Sequence, residues 1–229
     1  MLSYNLDSTD FNVEERLQKF VSKIQEIQPD VLLVQEVRQL ILEKLSREMK
    51  SLGYSRYIPN EMISKQTKEM VFSKIKILET KCLPLFNGTT FLTAVLIEPD
   101  VWVVTSQLEG FVPQRRRQLS LLDKEFKKDN KVVFGGDTRI TNYQQELSLP
   151  EVKPGTWKDT WNEAGTSDSF FTYTYIENAN VESPFHDRPD QIWWKGDPAL
   201  LCVDHLLVKC PEVSSHFGVL AYFQNNFRG

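Results

Sequence analysis

The 229-residue sequence carries 27 basic and 31 acidic side chains, a net charge of −4, and 41% of it is apolar. That length and apolar share fit one large α/β domain over residues 1–229, and the charge balance argues against a broad cationic surface for duplex DNA. The three cysteines, Cys82, Cys202 and Cys210, lack CxxC spacing and read as reduced thiols rather than a disulfide framework or a zinc site. The chain opens without a basic-then-apolar leader, and no apolar run approaches the ~18 residues of a membrane span, so an intracellular protein is expected.

Val13, Leu17, Phe20, Val21, Ile24 and Ile27 recur at three- and four-residue steps, which predicts a helix that Pro29 ends. Val31 to Val34 follows as a buried strand, and Leu40 to Leu52 repeats the helical period up to Gly53, a natural C-terminal cap. Strands are then expected at Val71-Phe72, Lys74 to Leu78, Phe91 to Ile97 and Val101 to Thr105, the last two joined as a hairpin by Glu98-Pro99-Asp100. Arg115 to Lys127 reads as helix and Lys131 to Phe134 as strand. Residues 142–189 are turn-rich and read as long surface loops, and Gln191 to Trp194 and Phe217 to Phe223 close the chain as strands.

Polar residues that can carry chemistry sit at the ends of these strands: Asn5 and Asp7, Glu36, Asp137, Asp190 and His216. One carboxylate at a strand end is usually a turn-former. Several converging on one rim make an oxygen-rich site for Mg²⁺, with positions left for water and a phosphate.

The segments around these residues carry a resemblance. Ser3-Tyr4-Asn5-Leu6-Asp7, Val34-Gln35-Glu36-Val37, Thr105-Ser106-Gln107-Leu108, Gly135-Gly136-Asp137-Thr138, Arg188-Pro189-Asp190-Gln191 and Ser214-Ser215-His216-Phe217 follow one another as the motifs of the endonuclease/exonuclease/phosphatase superfamily do. Asp159-Thr160-Trp161 and Tyr173-Thr174 resemble its 5′-tyrosyl-DNA phosphodiesterase branch. The resemblance implies a four-layer sandwich of two mixed β-sheets flanked by helices. It implies Glu36 as Mg²⁺ ligand and Asp137 as the group that activates water. Asn5 and His216 would contact phosphate, Asp190 would support catalysis, and Asp7, Arg139 and Tyr173 would lie on the substrate side.

Three positions depart from that pattern. Gln107 stands where the family has His, and an amide carries no positive charge to steady a phosphorane. Arg139 stands where the family has Asn, and a guanidinium has no acceptor with which to orient water. Ser215 replaces the Asp expected to orient His216 or tune the metal site. With imidazole counted neutral, the pocket is about two charges more positive than the family pattern, which predicts weakened or absent Mg²⁺ and retained phosphate affinity.

The expectation is therefore a degenerate phosphodiesterase-like protein that binds a phosphorylated ligand or nucleic-acid end, or serves a protein assembly. An active Mg²⁺-dependent phosphodiesterase is the alternative. Asp204-His205 is a second candidate for the closing Asp-His pair, and Asn142 a candidate replacement amide. Arg115-Arg116-Arg117 reads as solvated helix surface before it reads as a phosphate clamp. Trp193, Trp194, Phe170, Phe171, Tyr173 and Tyr175 read as sheet aromatics before they read as base-stacking platforms. His186 reads as an isolated loop residue, and Asn87-Gly88-Thr89 as a chance glycosylation sequon.

Overall fold

A computed structural model describes residues 1–9, 12–62, 65–85, 90–129, 131–140, 157–182, 184–196 and 200–225. The sequon at Asn87 and the candidate amide Asn142 lie outside the described residues. The first six-stranded sheet has the order β13-β14-β1-β2-β4-β3, built from Leu200–Val208, Gly218–Asn225, Leu2–Asn5, Val31–Arg38, Thr67–Ser73 and Ser55–Tyr57. The second, also six-stranded, has the order β5-β6-β7-β8-β12-β9, from Ile77–Pro84, Phe91–Ile97, Val101–Gln107, Lys131–Asp137, Asp190–Gly196 and Lys158–Asp159. Each sheet mixes parallel and antiparallel pairs.

Side-chain alternation along the strands stacks the layers. Helices α1 (Val13–Ile27) and α2 (Gln39–Ser51) press Leu17, Phe20, Ile24, Leu42, Leu45 and Met49 onto Leu2, Tyr4, Leu32, Val34, Met70 and Phe72 of the first sheet. The opposite face of that sheet turns Leu33, Val71, Val219 and Ala221 toward Val95, Val103, Val133 and Ile192 of the second. Beyond the second sheet, α3 (Val112–Glu125) packs Leu119 and Leu122 against Trp102, Val104 and Phe134. Each large apolar side chain buried this way contributes about 1.5–3 kcal/mol. The result is the expected four-layer sandwich, helices–sheet–sheet–helix.

Trp193 and Trp194 both lie buried on opposite faces of β12, one under α3 and one between the sheets, so neither is a stacking platform. Gly53, at φ +87°, closes α2 in the left-handed conformation glycine tolerates. The hairpin joining Phe91–Ile97 to Val101–Gln107 has the expected partners, with Ile97 opposite Val101.

Several expectations are corrected. The strand placed over residues 74–78 begins only at Ile77 and continues to Pro84, because Ser73 bonds the Ile75 amide and carbonyl in a turn. Helix α3 starts at Val112, with a proline in its first turn, where a missing N–H costs nothing. Within the region read as loops lie β9, a short helix α4 (Thr160–Ala164) and a ribbon of β10 (Tyr173–Thr174) with β11 (His186–Asp187). Arg115 is 2% exposed rather than solvated.

Candidate active site

Strand pairing brings the polar residues to one rim. In the first sheet β1 runs parallel to β2, with Asn5 beside Gln35, so Asn5 at the end of β1 lies next to Glu36, and β2 runs on to Arg38 instead of stopping at the expected Val34. Glu36 sits at a register shift between Val34 and Val37, with φ +55°. That irregularity turns its side chain away from the alternation of β2 and toward the pocket. In the second sheet Gln107, Asp137 and Asp190 are immediate cross-strand neighbours on β7, β8 and β12. His216 comes just before β14.

At the centre, two amides bridge two carboxylates. Asn5 Nδ2 donates to Glu36 Oε1 at 3.2 Å and to Asp137 Oδ2 at 3.0 Å. Gln107 Nε2 donates to the same Glu36 oxygen and, at 3.2 Å, to the same Asp137 oxygen. The other Glu36 oxygen accepts the Ser8 amide at 2.9 Å. Burial alone would raise the Glu36 carboxyl. The hydrogen bonds from Ser8, Asn5 and Gln107 outweigh it and hold the group below the usual carboxylate range, as a carboxylate.

His216 Nδ1 lies 2.8 Å from Asp190 Oδ2, which also accepts the Thr172 hydroxyl at 2.8 Å. Burial pulls the imidazole toward neutrality, but Asp190, and more weakly Asp137 and Glu36, carry its pKa up to about 9. These carboxylates favour the charged form of the ring, a charge that the count with neutral imidazole leaves out. Asp190, deeper, is raised by burial despite its partner. Asp190, not residue 215, orients the histidine. Ser215 instead donates its hydroxyl to Asp7 Oδ2 at 2.6 Å. Tyr173 packs its ring 5.1 Å from that of His216.

Arg139 takes a left-handed backbone, φ +49°, and its amide bonds Asp137 Oδ1 at 2.9 Å. Its Nε stands 3.8 Å from Asp137 Oδ2, and the side chain is 45% exposed, so a ligand can reach the guanidinium. The rival histidine, His205, is buried with Nδ1 2.8 Å from the Thr160 hydroxyl and takes no part in this cluster. His186 is not isolated, since it stacks with Phe171 at 5.2 Å and lies 5.2 Å from Tyr175.

Mg²⁺ is typically held by one or two carboxylates with waters and phosphate oxygens. Here both oxygens of Glu36 already accept N–H groups. Among the described residues no three His, Cys, Asp or Glu side chains converge to hold a metal. Glu36, with Asp137 beside it, is the carboxylate that would hold such an ion.

The structure brings Asn5, Glu36, Gln107, Asp137, Arg139, Asp190 and His216 together in one neighbourhood, with Asp7, Ser215 and Tyr173 on its edge. Sequence reasoning missed Ser8, whose hydroxyl and backbone N–H both bear on Glu36, and Thr172, whose hydroxyl braces Asp190.

The architecture is the endonuclease/exonuclease/phosphatase fold. No family model matches the sequence, and no curated protein matches it. TDP2 from C. elegans is similar in structure, with a TM-score of 0.82 and 22% identity over 97% of this chain and 74% of that one. TDP2 from D. rerio, complexed with single strand DNA product, has a TM-score of 0.83 and 21% identity over 98% of both chains. An endonuclease/exonuclease/phosphatase family protein from Bacteroides thetaiotaomicron has a TM-score of 0.79 and 13% identity over 99% of this chain and 97% of that one. Identities this low establish the fold alone. Among the described residues, no helix is long and apolar enough to cross a membrane.

Proposed function

We propose that this protein is a catalytically weak or inactive relative of the phosphodiesterases sharing its fold, and that it binds a phosphorylated nucleic-acid end. The observation that carries the reading is the pair of amides, Asn5 and Gln107, closed onto Glu36 and Asp137. Amide N–H groups occupy lone pairs that a cation and an attacking water would need. Two cations stand near them, His216 against Asp190 and the exposed Arg139 3.8 Å from Asp137, and both suit a phosphate. Arg139, which stays charged and forks, takes the place an ion would fill.

Phe171 and Tyr175, 40% and 37% exposed, both lie against His186, and Tyr173 between them in sequence lies against His216. Aromatic faces beside a phosphate site suit the bases of a single strand. The D. rerio TDP2 bound to single strand DNA product supports the same ligand class. The second reading is a slow Mg²⁺-dependent phosphodiesterase acting on a 5′-phosphotyrosyl or other phosphodiester bond. The ionised Glu36 beside Asn5, Asp137, Asp190 and His216 favours it.

Calorimetric titration with Mg²⁺ and with a 5′-phosphorylated oligonucleotide tests the first reading, for which phosphate binding without tight Mg²⁺ binding is expected. Incubation with a 5′-phosphotyrosyl oligonucleotide and Mg²⁺ tests the second. Turnover by the unmodified protein that Glu36→Gln abolishes overturns the first reading. Activity that emerges only as Gln107→His, Arg139→Asn and Ser215→Asp are combined stepwise supports it, since one lost transition-state contact typically costs ~10²-fold.

A further inference from the structure

The arginine triplet that opens α3 contains a residue whose surroundings suit neither a solvated face nor a phosphate clamp. Arg115 is buried, and its Nη1 reaches three backbone carbonyls: Glu109 at 3.2 Å, Gly110 at 3.0 Å and Arg139 at 2.8 Å. These carbonyls belong to two segments that leave the second sheet side by side, one after Gln107 and one after Asp137. From these bonds we infer that Arg115 is a positioning residue, which fixes the left-handed backbone of Arg139 and thereby aims the Arg139 guanidinium at the phosphate pocket. The inference rests on the phosphate-binding reading given above.

The physical case has three parts. A left-handed conformation is uncommon for a residue with a side chain, and it needs outside support to persist. Arg139 has that support on both sides of its Cα: its N–H is held by Asp137 Oδ1 at 2.9 Å and its C=O by Arg115. The side chain then lies along the neighbouring segment, with Cδ 4.0 Å from where a Cβ on Gly110 would stand. Because Arg115 binds the Gly110 carbonyl as well, it sets the distance between the backbone that carries the guanidinium and the backbone it rests on. A further bond, from the Glu109 amide to Gln118 Oε1 at 2.8 Å, ties the same segment to α3. A planar guanidinium suits a carbonyl-gathering role, and a lysine ammonium would satisfy it poorly.

The test uses the full chain in four forms: unmodified, Arg115→Gln, Arg139→Gln and the double variant, with Arg115→Lys as a milder form should the glutamine variant fold poorly. Two readouts are taken. The first is affinity for a 5′-phosphorylated single-stranded oligonucleotide. Arg139→Gln is expected to weaken binding about tenfold, the loss of one charge-assisted contact. Arg115→Gln or Arg115→Lys is expected to weaken it several-fold alone and not at all once Arg139 is gone. The second readout is hydrogen exchange at the Arg139 amide, which should quicken in both Arg115 variants while core strands stay protected.

Additive losses in the double variant overturn the inference, because a general loss of stability would add. Unchanged exchange at Arg139 in both Arg115 variants overturns it as well, whatever the binding data give. Equal binding by the unmodified protein and Arg139→Gln overturns the phosphate role of Arg139 instead, and accelerated exchange at Arg139 would then still support the positioning role of Arg115.

Discussion

His216 and Asp190 face each other across 2.8 Å, one just before β14 of the first sheet and the other at the start of β12 of the second. The pair makes a cation of a histidine that composition alone would count as neutral. Groups of both signs bear on it: Asp190, Asp137 and Glu36 favour its charge, and burial opposes it. Its pKa is raised on folding, from the ordinary 6.5 to about 9. The stabilisation is therefore complete below about pH 6.5 and lost as pH rises through about 9. Asp190 is raised as well, by burial, so the net gain is smaller than the histidine alone would suggest.

Phosphate affinity should follow the same charge. Binding of a 5′-phosphorylated oligonucleotide is expected to hold steady from pH 7 to 8 and to fall about tenfold by pH 10, the worth of one charge-assisted bond. His216→Gln should bind more weakly at pH 7 and lose this fall. A wild-type affinity that drops already between pH 6 and 7 would mean that the ring titrates normally.

Glu69 supplies a second pH dependence, of opposite origin. It lies on β4, 5% exposed, and its Oε2 is buried without a hydrogen-bond partner. Burial, with a contribution from Glu36, carries its pKa to about 8. A carboxyl raised on folding binds more protons in the native state, so stability falls as pH rises from about 4.5 to about 8. Glu69→Gln removes the titration and should be the more stable protein at pH 8, by on the order of 2 kcal/mol, with the gap closing near pH 5. Urea denaturation at both pH values measures it, and equal differences at the two would refute the assignment.

What the sequence revealed and what it withheld follow from the range of the interactions. Asn5, Asp137 and Asp190 were legible because each ends or begins a strand, and His216 because it shortly precedes one; Glu36 was legible only as the residue after an apolar run, since β2 in fact continues past it to Arg38. Their partners were not. The Ser8 contribution, from its hydroxyl as well as its N–H, depends on how the loop after Asp7 folds back onto Glu36. Arg16 bonds the Val213 carbonyl at 2.7 Å from 197 residues away and fixes the Asp7 loop through its carbonyl at 2.7 Å. Arg115 was read as surface because a basic triplet at a helix start usually is. Which carbonyl a guanidinium reaches depends on how two sheets and a helix meet, and no spacing encodes that.

Gly136 shows how tightly the site's strands are set. It stands opposite Ser106 in the parallel β7–β8 pair, and a Cβ there would lie 2.0 Å from the Ser106 carbonyl oxygen. Backbone has to move to relieve that contact, and Asp137 is the next residue. Gly136→Ala is expected to cost about 3 kcal/mol and to weaken phosphate binding along with it. Gly135→Ala meets instead the end of the Leu33 side chain at 2.8 Å, which can turn aside, and should cost about 1 kcal/mol. Thermal denaturation of the two variants should rank them in that order; the reverse order would contradict the β7–β8 register.

The buried pair of Arg188 and Asp159 separates stability from binding. Both side chains have no exposed surface, Arg188 Nη2 lies 2.6 and 2.7 Å from the two carboxylate oxygens, and the guanidinium sits over the Trp161 and Phe170 rings. Removing one partner strands the other charge, so Arg188→Met should destabilise the fold by about 3–5 kcal/mol. Asp159→Leu should cost somewhat more, because Asp159 also accepts the Trp161 amide at the start of α4. The double variant should recover a large part of the summed loss, since neither charge is then left alone. A double-mutant cycle by chemical denaturation measures the coupling, and a value near zero would show that the two charges do not depend on each other. Neither residue touches the amide-bridged carboxylates, so phosphate affinity in the folded double variant should stay within about twofold of the unmodified protein.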